Sequence, residues 1–412
     1  MNRRSIAKYV FITLARTEKS FDRNGGFWSA SGGRDVRMPE APRSMLKKRV
    51  LELSAGLMLL LLSLLQTVSG MAALVNADDR IETIFRPELG PKPGRLTVLP
   101  EDGREIYFQA IDAARHDIRI EICVLEDPQI LGHLQSVLQR GIRVHVIVDR
   151  GKYGDIPAEG ANLQQYLTAT GGELHLSNPV FPRSFPKIIL VDSNLLVFGS
   201  ACLDETTFMQ YRDFALTSTN RQLLSYLHLL FENDWAYSVA VGQEPPPFNP
   251  TPQISMSDLI VSPVNGAERL VGFYQKARQT LDVYTELLGN LTLESELAAA
   301  VRRGVRVRLI APVEVNGGTP DIQALQSTSL EALAAAGVQV HVSGPNESAE
   351  LPYMHARAAL IDGEIAYLGS ISLSPDSITF NREMGLILGE DSVVRKLQSQ
   401  FESDYQSRTT EF

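Results

Sequence analysis

Cysteine is scarce in this 412-residue chain. The two that occur can build neither a disulfide framework nor a four-thiolate zinc site. Tryptophan is as rare, also with two copies. No His-Glu-x-x-His pair or calcium loop occurs, and Gly317-Gly318-Thr319-Pro320 lacks the lysine of a phosphate loop. At 44% hydrophobic and 21% charged, the composition excludes disorder, collagen and a multi-span membrane protein. The length suits two or three domains, or one large unit built twice.

Basic charge is also in short supply beyond residue 77. Residues 1–77 hold 12 Lys/Arg and 5 Asp/Glu, which leaves 27 basic and 43 acidic residues in the body, a net of −16. Affinity for nucleic acid comes largely from neutralising phosphates with Lys and Arg, so a body this acidic disfavours it. A local basic pocket can still hold a single phosphate group.

The first 77 residues read as an address. Lys47, Lys48 and Arg49 form a positive stretch, Leu57 to Leu65 is apolar apart from Ser63, and Val75-Asn76-Ala77 offers small residues for signal peptidase. A cleaved signal over 45–77 and export to the periplasm or medium are the first expectation. An uncleaved anchor over Leu51 to Val75 is the alternative. Residues 1–44 have turn-rich character and no apolar period, and are expected to stand outside the fold.

The body of the chain is written twice. Ala113-Ala114-Arg115-His116-Asp117-Ile118 is matched by Lys276-Ala277-Arg278-Gln279-Thr280-Leu281, and Arg140 to Ile147 by Arg303 to Ile310. Gly172-Glu173-Leu174-His175 is matched near Gly337-Val338-Gln339-Val340-His341, and Lys187 to Ser200 by Arg357 to Ser370. Four matches in one order indicate an internal duplication. Each copy alternates short apolar strands with helical stretches: strands at Ile118–Leu125, Val144–Asp149, Leu281–Leu287 and Val307–Ile310, helices at Ile130–Arg140 and Glu294–Arg303. The pattern predicts an α/β fold of two duplicated α/β/α sandwich lobes, 90–241 and 253–408, each with a largely parallel sheet. Between them, 242–252 carries five prolines within eight residues and reads as a linker.

The last pair of matches resembles the phospholipase D superfamily, whose lobes each carry His-x-Lys-x4-Asp-x6-Gly-Ser-x-Asn. The second copy has His355-Ala356-Arg357, Asp362 and Gly369-Ser370-Ile371-Ser372; the first has Phe185-Pro186-Lys187, Asp192 and Gly199-Ser200-Ala201-Cys202. Tyr211-Arg212-Asp213 and Asn381-Arg382-Glu383 resemble the segments that come after each motif. The resemblance implies one pseudo-symmetric site between the lobes, no metal and no cofactor. It implies that one histidine attacks phosphorus while another protonates the leaving alcohol and then activates water. His355 is then the one nucleophile available, because Phe185 can do neither job.

By the same resemblance Lys187 and Arg357 bind phosphate, helped by the hydroxyls of Ser200, Ser370 and Ser372. Glu383 is expected to orient His355, while Asp213 has no histidine to serve. Asp192 and Asp362 are supporting residues. His175 and His341 hold equivalent places and read as scaffold; the remaining histidines read as structural or surface groups, and Trp235 as packing. Cys123 and Cys202 fall near one half of the site, where a disulfide and two buried thiols are both open readings. The expected activity is phospholipase D-like phosphodiester cleavage or phosphatidyl transfer, weakened by Phe185. The alternative is a non-catalytic binder of a phosphate or lipid headgroup, and a nuclease comes third. Partners are then a phospholipid or another phosphodiester, with a membrane surface as a candidate.

Overall fold

Each Gly-Ser motif spells a β-hairpin, and these hairpins organise the two sheets. In the computed structural model, residues 96–154, 156–249, 251–344 and 351–408 are described. The address segments at 1–44 and 45–77 lie outside them. Among the described residues no helix is long and apolar enough to cross a membrane.

The first copy runs β1 (Thr97–Leu99), α1 (Glu105–Asp112), β2 (Asp117–Ile122), α2 (Pro128–Gln139), β3 (Arg143–Val148), α3 (Arg150–Tyr153), α4 (Pro157–Ala169), β4 (Glu173–Leu176), β5 (Ser184–Phe185), β6 (Ile188–Val191), β7 (Leu195–Gly199), α5 (Glu205–Gln210), β8 (Tyr211–Ser218) and α6 (Arg221–Tyr237). The second repeats the plan. It runs β9 (Leu259–Ser262), α7 (Gly266–Tyr274), β10 (Thr280–Tyr284), α8 (Leu291–Arg302), β11 (Arg306–Pro312), α9 (Pro320–Ala335), β12 (Gln339–Ser343), β13 (Tyr353–Met354), β14 (Arg357–Ile361), β15 (Ile365–Gly369), α10 (Pro375–Thr379), β16 (Arg382–Leu388) and α11 (Asp391–Gln406). Local chemistry sets the starts of both crossover helices. The Asp127 side chain accepts from the Gln129 and Ile130 amides ahead of α2, and the Asn290 side chain accepts from Leu293 ahead of α8.

The sheets are mixed rather than largely parallel. β2, β3 and β4 pair in parallel, as do β10, β11 and β12. β6–β7–β8 and β14–β15–β16 pair antiparallel. The reason is a tight turn at the aspartate of each motif. Asp192 and Asp362 adopt φ of 50° and 55°, which reverses the chain in a few residues where a parallel crossover needs a helix.

Two eight-stranded sheets result, and each borrows a strand from the other copy. β13 of the second copy pairs with β8, and β5 of the first pairs with β16. One apolar core lies in each copy, and a third joins residues of both, including Phe214, Leu227 and Phe231 with Tyr284, Leu386 and Phe401. Burying this shared surface holds the two borrowed strands in place.

Candidate active site

The two borrowed strands decide which side chains meet. Tyr353 and Met354 lie opposite Tyr211 and Arg212, so the next residue, His355, arrives beside Asp213 of the other copy. His355 Nδ1 donates to Asp213 Oδ2 at 2.7 Å. Asp213 is fully buried and receives the Ser200 hydroxyl on its other oxygen at 2.5 Å. Burial pushes this carboxyl up, but the His355 imidazole, with Lys187 and Ser200, more than offsets that and holds it below the usual range. Asp213, not Glu383, is therefore the carboxylate bonded to His355.

Glu383 faces the residue that departs from the motif. It lies opposite Phe185 in the β5–β16 register, as the equivalent of Asp213. Its Oε1 receives Asn381 at 3.0 Å; its buried Oε2 makes no close hydrogen bond among the described residues, although the Ser377 hydroxyl is near enough to act on the carboxyl. Burial pushes the carboxyl up to about 7, against the lowering influence of Asn381 and Arg357.

The two cations lie close together. Lys187 and Arg357 are both buried, and the guanidinium is close enough to act on the amine. Burial, reinforced by Arg357, brings the Lys187 amine down to about 8. The amine donates to the Ser200 carbonyl, and Lys187 holds a left-handed φ of 55°. Arg357 donates through Nε to the Ser372 hydroxyl at 3.0 Å, and also to the His355 carbonyl and to Glu286. Burial alone would lower its pKa, but the Glu286 carboxylate raises it.

Glu286 is a member of the site that the motif frame does not contain. Its Oε2 lies 3.9 Å from His355 Nε2, and its Oε1 receives the Tyr353 hydroxyl at 3.1 Å. The Tyr211 ring packs 5.1 Å from the imidazole and 5.0 Å from Tyr353. A comparison of the copies just beyond β2 and β10 could have found it: with Ile118 aligned on Leu281, the first copy has Cys123 where the second has Glu286.

The hydroxyls proposed for phosphate are committed inside the protein. Ser200 serves Asp213 and the Phe214 amide, Ser370 the Met384 backbone, and Ser372 the guanidinium. The glycines before Ser200 and Ser370 have a clear reason: a Cβ at Gly199 or Gly369 would overlap the Phe214 or Met384 carbonyl. Asp192 and Asp362 stand at the far ends of the hairpins. Each carboxylate collects three backbone amides, from Arg115, His116 and Asp117 or from Arg278, Gln279 and Thr280. His175 bonds Ser238 and stacks on Trp235, and His341 stacks on Tyr405, both on outer strands away from His355. Cys123 and Cys202 are joined as a disulfide with Cα atoms 5.9 Å apart. It fills the place that Glu286 and Ser372 hold in the second copy.

A family model described as "Cardiolipin synthase, PLD-like domain" matches residues 107–235 and 270–405, more than half of the chain and both motifs. The chain belongs to this phospholipase D-like family. Among its relatives is cardiolipin synthase A of Pseudomonas syringae pv. syringae (strain B728a), 25% identical over 354 residues, 77% of this chain and 71% of that protein. Cardiolipin synthase of Geobacillus kaustophilus (strain HTA426) is 23% identical over 350 residues, 75% of this chain and 66% of that protein. The phospholipase D-like fold is also seen in the crystal structure of phosphatidylserine synthase from Haemophilus influenzae Rd KW20. That structure superposes with a TM-score of 0.61 at 14% identity, covering 78% of this chain and 88% of the other.

Proposed function

We propose that this protein cleaves a phospholipid phosphodiester bond and transfers the phosphatidyl group to an alcohol, with His355 as its nucleophile. The observation that carries the reading is the His355–Asp213 pair. A carboxylate on Nδ1 leaves Nε2 as the nitrogen with a free lone pair, aimed at the space shared by Arg357 and Glu286. Nε2 attacks phosphorus and the bond to the leaving alcohol breaks. That oxygen takes its proton from water, because Phe185 supplies none. An acceptor alcohol then attacks the phosphohistidine, releasing Nε2 with its electron pair and its own proton to solvent. Loss of a general acid typically costs about 100- to 10,000-fold, so this is a slow enzyme. The relatives' name, cardiolipin synthase, favours transfer over hydrolysis. The charged and apolar pattern of residues 45–77 supports export or anchoring at a membrane, where such a substrate resides.

A second reading has its own observation. Both cations already have internal acceptors, and Glu383 faces a phenyl ring, which suits a headgroup binder that has lost turnover. The two separate on one experiment. The full chain and His355→Ala are incubated with phosphatidylglycerol vesicles, phosphatidylcholine vesicles and an activated aryl phosphodiester, following product and phosphohistidine. Activity lost in His355→Ala supports the enzyme; activity retained there removes His355 from the mechanism. Folded wild-type protein with neither product nor phosphohistidine supports the binder.

A further inference from the structure

An anion site is expected to be short of negative charge, and this one is not. Arg357, the side chain best shaped to grip two phosphate oxygens, is already paired with the Glu286 carboxylate. The same carboxylate stands 3.9 Å from the nitrogen that would attack phosphorus. An anion seated between Arg357 and His355 would meet Glu286 at contact distance, and like charges in a buried setting repel strongly. Glu286 is also held firmly, by the Tyr353 hydroxyl at 3.1 Å and by Gln326, whose Nε2 donates to its backbone carbonyl at 3.0 Å.

The carboxylate is confined to one half of the site. In the other half its place belongs to Cys123, whose disulfide to Cys202 is uncharged. The half with the histidine therefore offers a carboxylate that accepts from the Tyr353 hydroxyl, with the Tyr211 ring packed on Tyr353 and His355 and near enough to feel its charge. A carboxylate with an aromatic ring close by can receive an ammonium group. The guanidinium next to it is a receptor for phosphate.

We infer that Glu286 determines substrate specificity, selecting phosphodiesters of an amino alcohol, whose charges are balanced, over purely anionic ones. Such a headgroup exchanges one internal ion pair for two: its phosphate takes Arg357, and its ammonium takes Glu286. A phosphodiester without a cation can only break the Arg357–Glu286 pair and leave a buried carboxylate beside an anion. The inference rests on the site proposed above and names its substrate class.

The test measures binding, not turnover. The full chain is titrated with glycerophosphoethanolamine and with glycerophosphoglycerol by calorimetry, alongside Glu286→Gln and Glu286→Asp, with circular dichroism and thermal melting to check folding. Wild-type protein is expected to prefer the ethanolamine ester by about tenfold or more. Glu286→Gln, which keeps the shape and removes the charge, is expected to bring the two within about threefold, while Glu286→Asp keeps the preference. Equal or tighter binding of the glycerol ester by the wild type overturns the inference, as does an unchanged ratio in Glu286→Gln. No binding of either ester by folded wild-type protein also overturns it. A charge preference without phosphohistidine would sink the catalytic reading and keep this one, and phosphohistidine without a charge preference would do the reverse.

Discussion

His355 of the second copy and Asp213 of the first are bonded across the duplication, Nδ1 to Oδ2 at 2.7 Å. The pair exists because two-residue β13 leaves its own sheet and pairs with β8. A histidine and its carboxylate thus belong to different copies, and the site is complete only when both copies fold together.

Asp213→Asn tests what this pair does. The amide keeps the shape but loses the charge that orients the imidazole and offsets the positive charge that develops on it as Nε2 attacks. Phosphohistidine formation is expected to fall about 100-fold or more, whereas Glu383→Gln should leave it within a few-fold. The measurement is the single-turnover rate of phosphohistidine appearance. A larger loss in Glu383→Gln than in Asp213→Asn would reverse the assignment of the two acids.

Much of this was legible in the sequence. The spacing from Lys187 through Asp192 to Gly199-Ser200 is the length of a hairpin that turns at its aspartate, so the motif could be read as geometry. The duplication and the convergence of Lys187 with Arg357 came with it. The exchange of β5 and β13 was not legible, because two-residue strands have no periodicity and their pairing is set by distant elements. That one exchange reassigns Glu383 and Asp213. Glu286 was hidden for a different reason: it comes after the apolar β10 in the run Tyr284-Thr285-Glu286-Leu287-Leu288, where it reads as a strand ending in a polar residue. The antiparallel hairpins were not legible, because alternation of strands and helices says nothing about tight turns within a copy.

The disulfide should carry stability out of proportion to its size. Cys123 and Cys202 are 79 residues apart in sequence, and both are buried in the first copy's core. A loop of that length corresponds to about 4 kcal/mol of unfolded-state entropy. Cys123→Ser/Cys202→Ser is expected to lower the urea midpoint and, by letting the unfolded chain expand, to steepen the slope somewhat, as reduction with dithiothreitol should in the wild type. An unchanged midpoint under both treatments would show that the bond contributes nothing.

Glu383 predicts an unusual pH dependence. Its carboxyl titrates near 7 in the folded protein against 4.5 when unperturbed, so the native state binds more protons than the unfolded state between those values. Stability from this group therefore falls as pH rises from about 4.5 to about 7 and stays lower above. Glu383→Gln should be more stable than wild type at pH 8, on the order of 2 kcal/mol, and close to it at pH 4.5. Lys187 acts in the opposite sense at higher pH. Its amine is lowered from 10.5 to about 8, so its cost is relieved as pH rises between those values. Urea denaturation of wild type and Glu383→Gln across pH 4.5–8 checks the Glu383 effect, and extending the wild type to pH 10.5 checks Lys187; equal stability at pH 8 would mean that Glu383 has a cation partner in solution.

Phe185→His should give such a partner to Glu383 and a second imidazole to the site. Phe185 and Glu383 are register partners on β5 and β16, as the residues flanking His355 and Asp213 are on β13 and β8. A histidine at 185 would therefore present Nδ1 to Glu383, whose buried Oε2 makes no close hydrogen bond among the described residues. The phenyl ring is only partly buried, so the exchange leaves the core of the first copy intact. Two consequences are expected together. Transfer from phospholipid should rise by about 100- to 10,000-fold, the usual contribution of a general acid. The carboxyl of Glu383 should drop below its present value, because it gains an opposite charge, so Glu383→Gln should cease to stabilise the protein at pH 8 in this background. The double-mutant cycle reads the second effect even if catalysis is limited elsewhere. No rate gain together with additive stabilities would show that the β5 exchange does not bring residue 185 to Glu383.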